Sequence, residues 1–427
     1  MRHHLAGLTA ASILAGAGAC RPGGSAADFA TVAADTSIVS RSIEFFEGRL
    51  AADPNNYLVA GRLAGRYMVR FGLAADARDV ERAEALARRL TTLAPDRAAS
   101  MGRLSGVLLT QHKFAESLAA ARAAVAADPG DEDARGALFD ATLASGAYRE
   151  AEAALRAMRP GSLATLVRRA QWLDATGHAT GARETMERVC RQLEQSAARP
   201  STVAWCLTEL AGMVHRERGP EAAGAVLDRA VKVQPGYRGA AEQMAHLAAA
   251  RGEWEAAHRL YQRIAVDAHP DLYLRLAEVA GQQSREEERS KWARRFLDVV
   301  SQPEKEALFG PELALFLAER NGPGDGAAAL AIAEREIARR PTIESLDLLA
   351  WVHYRRGEPE AALAASDRAL AAGSPSPALE YHRGRILQAL GRPVEAEPLI
   401  RRAEEHRSLL PPHAQVDAER KSTGTRG

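Results

Sequence analysis

Three cysteines stand in this 427-residue chain, at Cys20, Cys190 and Cys206. Cys190 and Cys206 are equally far from Ala198, near the middle of the loop-like stretch SAARPST. If that stretch joins two antiparallel helices, the two thiols lie level, and in an oxidising compartment they can bond. Such a disulfide would staple one hairpin, and closing a loop of about 15 residues is worth on the order of 3 kcal/mol in the chain-entropy account. The alternative is a pair of small buried apolar groups. Other chemistry is sparse in the sequence. There is no G-x-x-x-x-G-K or G-x-G-x-x-G phosphate loop, no H-E-x-x-H, no C-x-x-C and no G-x-S-x-G. The twelve histidines are scattered. His353 falls on a face that should meet a neighbouring helix and reads as a buried, hydrogen-bonded structural residue. The acids of DPGDEDARG, Asp128 to Gly136, do not follow calcium-loop spacing and instead favour a helix N-terminus. The Arg168-Arg169, Arg294-Arg295 and Arg401-Arg402 doublets read as solvated faces.

Cys20 has a different setting. A short basic start, then an uncharged run from Leu5 to Ala19, precede it. The run is too short and too Gly-rich for a membrane span and reads as a signal peptide over residues 1–19. AGAC resembles the lipobox of bacterial lipoproteins, whose cysteine is lipidated after cleavage; Ala17 departs from the Leu preferred there. The resemblance implies a lipid anchor at Cys20 and an envelope location, or a secreted or periplasmic protein if the cysteine stays free. Residues 20–36 read as a flexible tether.

The elements that must position everything else are helical. Ala, Leu, Arg and Glu dominate, aromatics are only 5 %, and Val-Ile-Thr runs are nearly absent. Gly146, Gly177, Gly252, Gly357 and Gly391 punctuate the chain, each followed five or six residues later by an Ala. Pairs of small residues recur 12 apart: Ser105/Ser117, Ala170/Ala182, Ala211/Ala223, Ala245/Ala257, Ala350/Ala362 and Gly384/Ala396. Two antiparallel helices approach closely only where both carry small side chains. Pro95 and Pro129 close helical runs 34 residues apart.

A 34-residue helix-turn-helix unit with small residues at its eighth and twentieth positions resembles the tetratricopeptide repeat. The resemblance implies an all-α, right-handed superhelix (solenoid) of about ten repeats between Tyr57 and Glu405. The expected organisation is a cap helix and array over 37–300, a hinge at 301–310, a shorter array over 311–407 and a disordered tail over 408–427. Departures are FGLAADARD inserted in the first unit, Phe139 opposite Ala151, and the missing small partner of Ala277.

The resemblance also implies function: a non-catalytic scaffold that binds a partner protein or peptide in a concave groove. The alternative is a glycan- or small-ligand-binding repeat protein serving an envelope enzyme. No cofactor, metal or catalytic residue is expected. Net charge is +1, from 56 basic and 55 acidic residues, which argues against a nucleic-acid partner. Repeat arrays that grip a C-terminal carboxylate use Lys and Asn where this chain has Gly102, Gly106, Asp140, Val167 and Gln171. The expected partner patch is aromatic and basic instead: Trp351, Tyr354 and Arg355 on one first helix, with Tyr381, Arg385 and Gln388 on the next. Such residues often carry interface energy. Packing of Trp351 and Tyr381 between hairpins is the competing reading.

Overall fold

The computed structural model describes residues 30–74, 76–265, 269–372, 376–410 and 414. Cys20, the signal-peptide stretch and most of the tether lie outside them. Among the described residues every regular element is helical, with twenty-one α-helices and one 3-10 turn. The first nine are α1 (Ala30–Ala52), α2 (Tyr57–Ala74), α3 (Ala77–Leu93), α4 (Ala98–Thr110), α5 (Phe114–Ala127), α6 (Glu132–Ala144), α7 (Tyr148–Ala157), α8 (Leu163–Ala175) and α9 (Ala179–Gln195). Then come α10 (Pro200–Arg218), α11 (Pro220–Val233), α12 (Arg238–Ala250), α13 (Trp254–Ile264), α14 (Asp271–Gln282) and α15 (Glu286–Val300). The last six are α16 (Pro303–Arg320), α17 (Asp325–Arg339), α18 (Ile343–Arg355), α19 (Pro359–Ala372), α20 (Pro377–Ala389) and α21 (Pro393–Glu405). No described helix is long and apolar enough to cross a membrane.

The chain forms two compact units. Unit 1 comprises the described residues up to Asp174 together with His178–Val214 and Ala222–Gln243; unit 2 comprises Ala175–Gly177, His215–Glu221 and the described residues from Met244 on. This division falls well before the 301–310 stretch where a hinge is expected. That stretch is helical instead. Pro303 sits in the first turn of α16, where a missing N–H costs nothing. Phe309, two residues before Pro311, leaves the helical region (φ −117°, ψ 18°), so the break is a kink inside α16.

Within unit 1, α2/α3, α4/α5 and α6/α7 pack as hairpins, and α1 packs on α2 as a cap. Its Val39 and Ile43 join Leu63, Tyr67 and Val80 in one core cluster. Within unit 2, the hairpins are α14/α15, α16/α17, α18/α19 and α20/α21. The small residues expected at the crossings are buried. Ala170, Ala182, Ala245, Ala257, Ala350, Ala362 and Ala396 are all fully covered. Ser105 and Ser117 keep the close contact although both are polar. Their hydroxyls are 3.0 Å apart, and Ser117 Oγ also donates to the Ser105 carbonyl at 2.9 Å. Phe139, a large residue at such a place, is fully buried against Ala151, Ala154 and Trp172.

The five turn glycines all have φ between 70° and 79°, a region that side chains with a Cβ rarely enter. His112, Ser284 and Asn321 take the same left-handed conformation in their own interhelical turns, with φ of 57°, 57° and 50°. The insertion in the first unit is absorbed by length. α2 has 18 residues and α3 has 17, against 13 and 14 in α4 and α5. Cys190 and Cys206 form a disulfide with Cα atoms 5.6 Å apart. It ties α9 to α10, the junction between one hairpin and the next, rather than the two helices of one repeat.

A Cβ at Gly384 would sit 2.5 Å from Ile400 Cγ1 and 3.3 Å from the Ala396 carbonyl. Gly384→Leu is therefore expected to destabilise the α20/α21 hairpin by about 2–3 kcal/mol through overpacking. Gly72, on α2, has nothing within 4 Å of the same point, so Gly72→Ala should gain up to about 1 kcal/mol of helix propensity. Urea denaturation followed by circular dichroism reads both; a Gly384→Leu curve matching the parent's would refute the close packing.

Candidate functional site

The first helices α18 and α20 carry the expected aromatic patch, and the structure gives it a different role. Trp351 is 2 % exposed and Tyr381 is 1 % exposed. Trp351 stacks on His382 at 4.2 Å and on Tyr354 at 4.8 Å, and its Nε1 donates to Glu319 Oε1 at 2.6 Å. Arg355 Nη1 reaches the other oxygen of Glu319 at 3.3 Å, so one carboxylate on α16 holds two residues of α18. Behind the stack, buried Asp347 lies 2.9 Å from His382 Nδ1. His353 is half-buried and lies 2.7 Å from Glu358, within its own hairpin.

The covering comes from the chain itself. Leu410 and Ala414 pack with Trp351, Tyr381 and Ala403 in one cluster, flanked by Leu315 and Tyr354. Leu410 is 3 % exposed and Ala414 fully buried. Residues expected in a disordered tail from 408 thus begin with a 3-10 turn, Arg407–Leu409, and seal the patch. The correction to the expected site follows: Trp351 and Tyr381 are core in this state, not an exposed contact surface. Tyr354 and Arg355 are half-buried, Arg385 is half-buried with its guanidinium 6.0 Å from the Tyr381 ring centroid, and Gln388 is exposed. Of the six expected residues, the structure brings Trp351, Tyr354 and Tyr381 into one cluster. The amphipathic pattern carries no signal of what lies over them.

The same segment reaches farther. Ser408 Oγ lies 3.1 Å from His215 Nε2, near the end of α10. Burial pushes the His215 pKa down to about 4, and Arg216, His246 and Arg251 push the same way, with Glu221 opposing.

Unit 1 carries a second cluster that the sequence reading passed over. Arg62 and Arg66 are one turn apart on α2. Arg103 of α4 lies along the bare backbone of α2. A Cβ at Gly61 would be 3.7 Å from its Nε, and one at Gly65 would be 3.2 Å from its Nη1. Among the described residues, none of these three guanidinium groups has an ion pair or hydrogen bond. Arg103 is exposed to water, yet surrounding protein presses its pKa down, with Asp133 partly offsetting. Arg66 is lowered too, first by burial and then by Arg199 and Arg62. The contrast in the same unit is Arg168, which forks onto buried Asp140 at 2.7 and 2.9 Å. A signal was available: neither Arg62, Arg66 nor Arg103 has an acid three or four residues away to pair with on its own helix. Among the described residues no group of three His, Cys, Asp or Glu side chains could hold a metal ion.

No family model matches the chain, and no curated protein matches it. Solved helical-repeat structures do. The human IFIT1 dimer with PPP-AAAA is 16 % identical, with 74 % of this chain and 72 % of that one covered at a TM-score of 0.47. Yeast Tom70 is 13 % identical, with 87 % and 82 % covered at a TM-score of 0.39.

The His215 environment predicts a pH response. Its folded pKa lies below the ordinary value of 6.5, so the unfolded chain takes up the proton first. The associated stability is complete above pH 6.5 and is lost as pH falls from there through about 4. The melting temperature should fall across that window, and His215→Gln should flatten the fall; an unchanged profile in the variant would refute it.

Proposed function

We propose that this chain is a non-catalytic binding scaffold that holds a partner protein on the first-helix faces of its repeats, and that Cys20 anchors it by lipid in a bacterial envelope. The observation that carries the binding reading is the open arginine cluster of unit 1. Arg62 and Arg66, one turn apart on α2, and Arg103, which lies along Gly61 and Gly65 of the same helix, have no carboxylate bonded to any of them. Such an arrangement is self-repelling, and a partner's acidic side chains relieve it. Guanidinium groups fork onto carboxylates with both charge and geometry. The favoured partner is therefore a protein segment rich in Asp and Glu. The small net charge of the chain, +1, supports this choice over a nucleic acid, which wants an extended basic face. The signal-like start and AGAC at Cys20 support the export half of the proposal.

A fluorescein-labelled Glu-rich dodecapeptide is the probe for the cluster. The chain carrying Arg62→Gln, Arg66→Gln and Arg103→Gln together should bind it at least about tenfold more weakly, since charged hydrogen bonds contribute about 1.5–3 kcal/mol each. Its melting temperature should stay near the parent's, because none of the three makes a structural bond. Equal affinity in parent and variant overturns the reading. Tighter binding of a single-stranded oligonucleotide at matched salt overturns the choice of partner.

Cys20→Ser tests the anchor separately. The substituted protein should leave the membrane fraction for the soluble envelope fraction. Retention in the membrane would place the anchor elsewhere.

A further inference from the structure

Four large apolar side chains stand exposed among the described residues: Ile38, Phe45, Leu58 and Val394. A single exposed apolar residue is ordinary on a protein surface. Three of these four, however, fall on the cap helix α1 and in the first turn of α2. Ile38 is 57 % exposed and Phe45 is 59 % exposed. Seven residues is two helical turns, so they share one face of α1. Exposed Arg41 and Arg49 flank Phe45 at about 40° on either side, and exposed Gly48 and Ala52 continue the stripe. The far side of the helix is buried, with Val39 and Ile43 in the unit 1 core. Phe46 packs against that core and meets Phe45 edge to face at 5.3 Å, so a partly buried ring holds the exposed one out.

The charges on this face have one sign. Arg49 places its guanidinium 6.0 Å from the Phe45 ring centroid, and Arg41 donates to Ser37 Oγ at 2.9 Å. Neither makes an ion pair among the described residues. The acids between residues 38 and 52 are Glu44 and Glu47, and both lie about 100° or more around the helix from Phe45. Glu47 accepts a hydrogen bond from the Tyr67 hydroxyl of α2. Apolar side chains flanked by cations suit the headgroup boundary of an anionic bilayer, where rings and methyl groups enter the acyl edge and guanidinium groups meet phosphate. The distance to a bilayer also fits. Cys20 precedes Ala30, the first residue of α1, by ten residues. Ten residues span at most about 35 Å. A lipid on Cys20 therefore keeps α1 within about that distance of the membrane surface.

We propose that the outer face of α1, formed by Ile38, Arg41, Phe45 and Arg49, lies on an anionic phospholipid surface, so that the array meets the membrane through its cap helix. This rests on the reading of Cys20 as a lipid anchor. The tether raises the concentration of the face at the bilayer, so a contact too small to recruit a free protein holds once the lipid is inserted.

Gly48 supplies a place for a reporter, since a Cβ there has nothing within 4 Å. The full chain carrying Gly48→Cys is expressed in a bacterial host, purified from its membranes and labelled with nitrobenzoxadiazole. With Cys20 lipidated and Cys190 bonded to Cys206, the introduced thiol alone reacts. On mixed vesicles of phosphatidylcholine and phosphatidylglycerol the emission should rise and shift to the blue, and a nitroxide carried on lipid should quench it. Ile38→Ser and Phe45→Ser together should abolish the quenching and leave the melting temperature near the parent's, because both side chains are already exposed. Unquenched emission overturns the proposal; if the chain still floats with the vesicles, the anchor stands. Two labels per chain show that Cys20 is free, and the proposal then falls with the anchor. A blue shift that lipid-borne nitroxide does not quench assigns the face to a second copy of the chain and overturns it. So does equal quenching on vesicles of phosphatidylcholine alone, because the arginines then select nothing.

Discussion

Each hairpin turns on one point where two helices nearly touch. Ala350 against Ala362, or Gly384 against Ala396, lets the axes come close, and the hairpin angle follows from that contact. Because the contact recurs, first helices stack on first helices: α4 on α6, α16 on α18, α18 on α20. Side chains from successive units then share one face. That is how Arg103 comes to lie along Gly61 and Gly65 of α2, and how Leu315, Trp351 and Tyr381 meet one another. A bulky residue at a crossing is tolerated only when the neighbourhood is built around it, as Phe139 shows with its small partners Ala151 and Ala154.

What could be read from the sequence is what local pattern controls. The helices, the turn glycines, the small pairs and the cap helix α1 all rest on spacing within about 34 residues. Even the turns without glycine fit the scheme, since His112 lies 34 residues before Gly146 and adopts the same left-handed backbone. Three things were hidden. Proline and glycine around 301–310 read as a break, but Pro303 is at home in a first turn and Pro311 only kinks the helix. The aromatic residues of α18 and α20 do cluster, but buried, and their cover comes from a stretch with no helical period to announce it. The third is the cysteine pair, whose level geometry was legible while the joint it ties was not: it bridges neighbouring repeats.

The two units present opposite kinds of first-helix face. In unit 1 the face carries Arg62, Arg66 and Arg103, the last lying along two helical glycines of α2. In unit 2 it is aromatic and covered, with its polar atoms tied to Glu319 and Asp347. Burying Trp351 and Tyr381 beneath Leu410 removes a sizeable apolar surface from water, and aromatic side chains of this size dominate the energetics of any face they line. The same repeat thus carries a charged face in one unit and an aromatic face in the other.

The bond between His215 and Ser408 joins residues 193 apart in sequence. Repeat arrays are otherwise nearly one-dimensional: each unit touches its neighbours, and disturbance at one place fades over a repeat or two. A contact of such long range ties the end of unit 2's last repeat back to one of its earliest residues. The contact is also the last event in synthesis order, because the segment that makes it follows every helix it touches. Loop entropy rises only slowly with loop length, so the long stretch of chain between the two residues adds little to the cost of the contact, and a well-packed neighbour such as Leu410 is enough to keep Ser408 at His215.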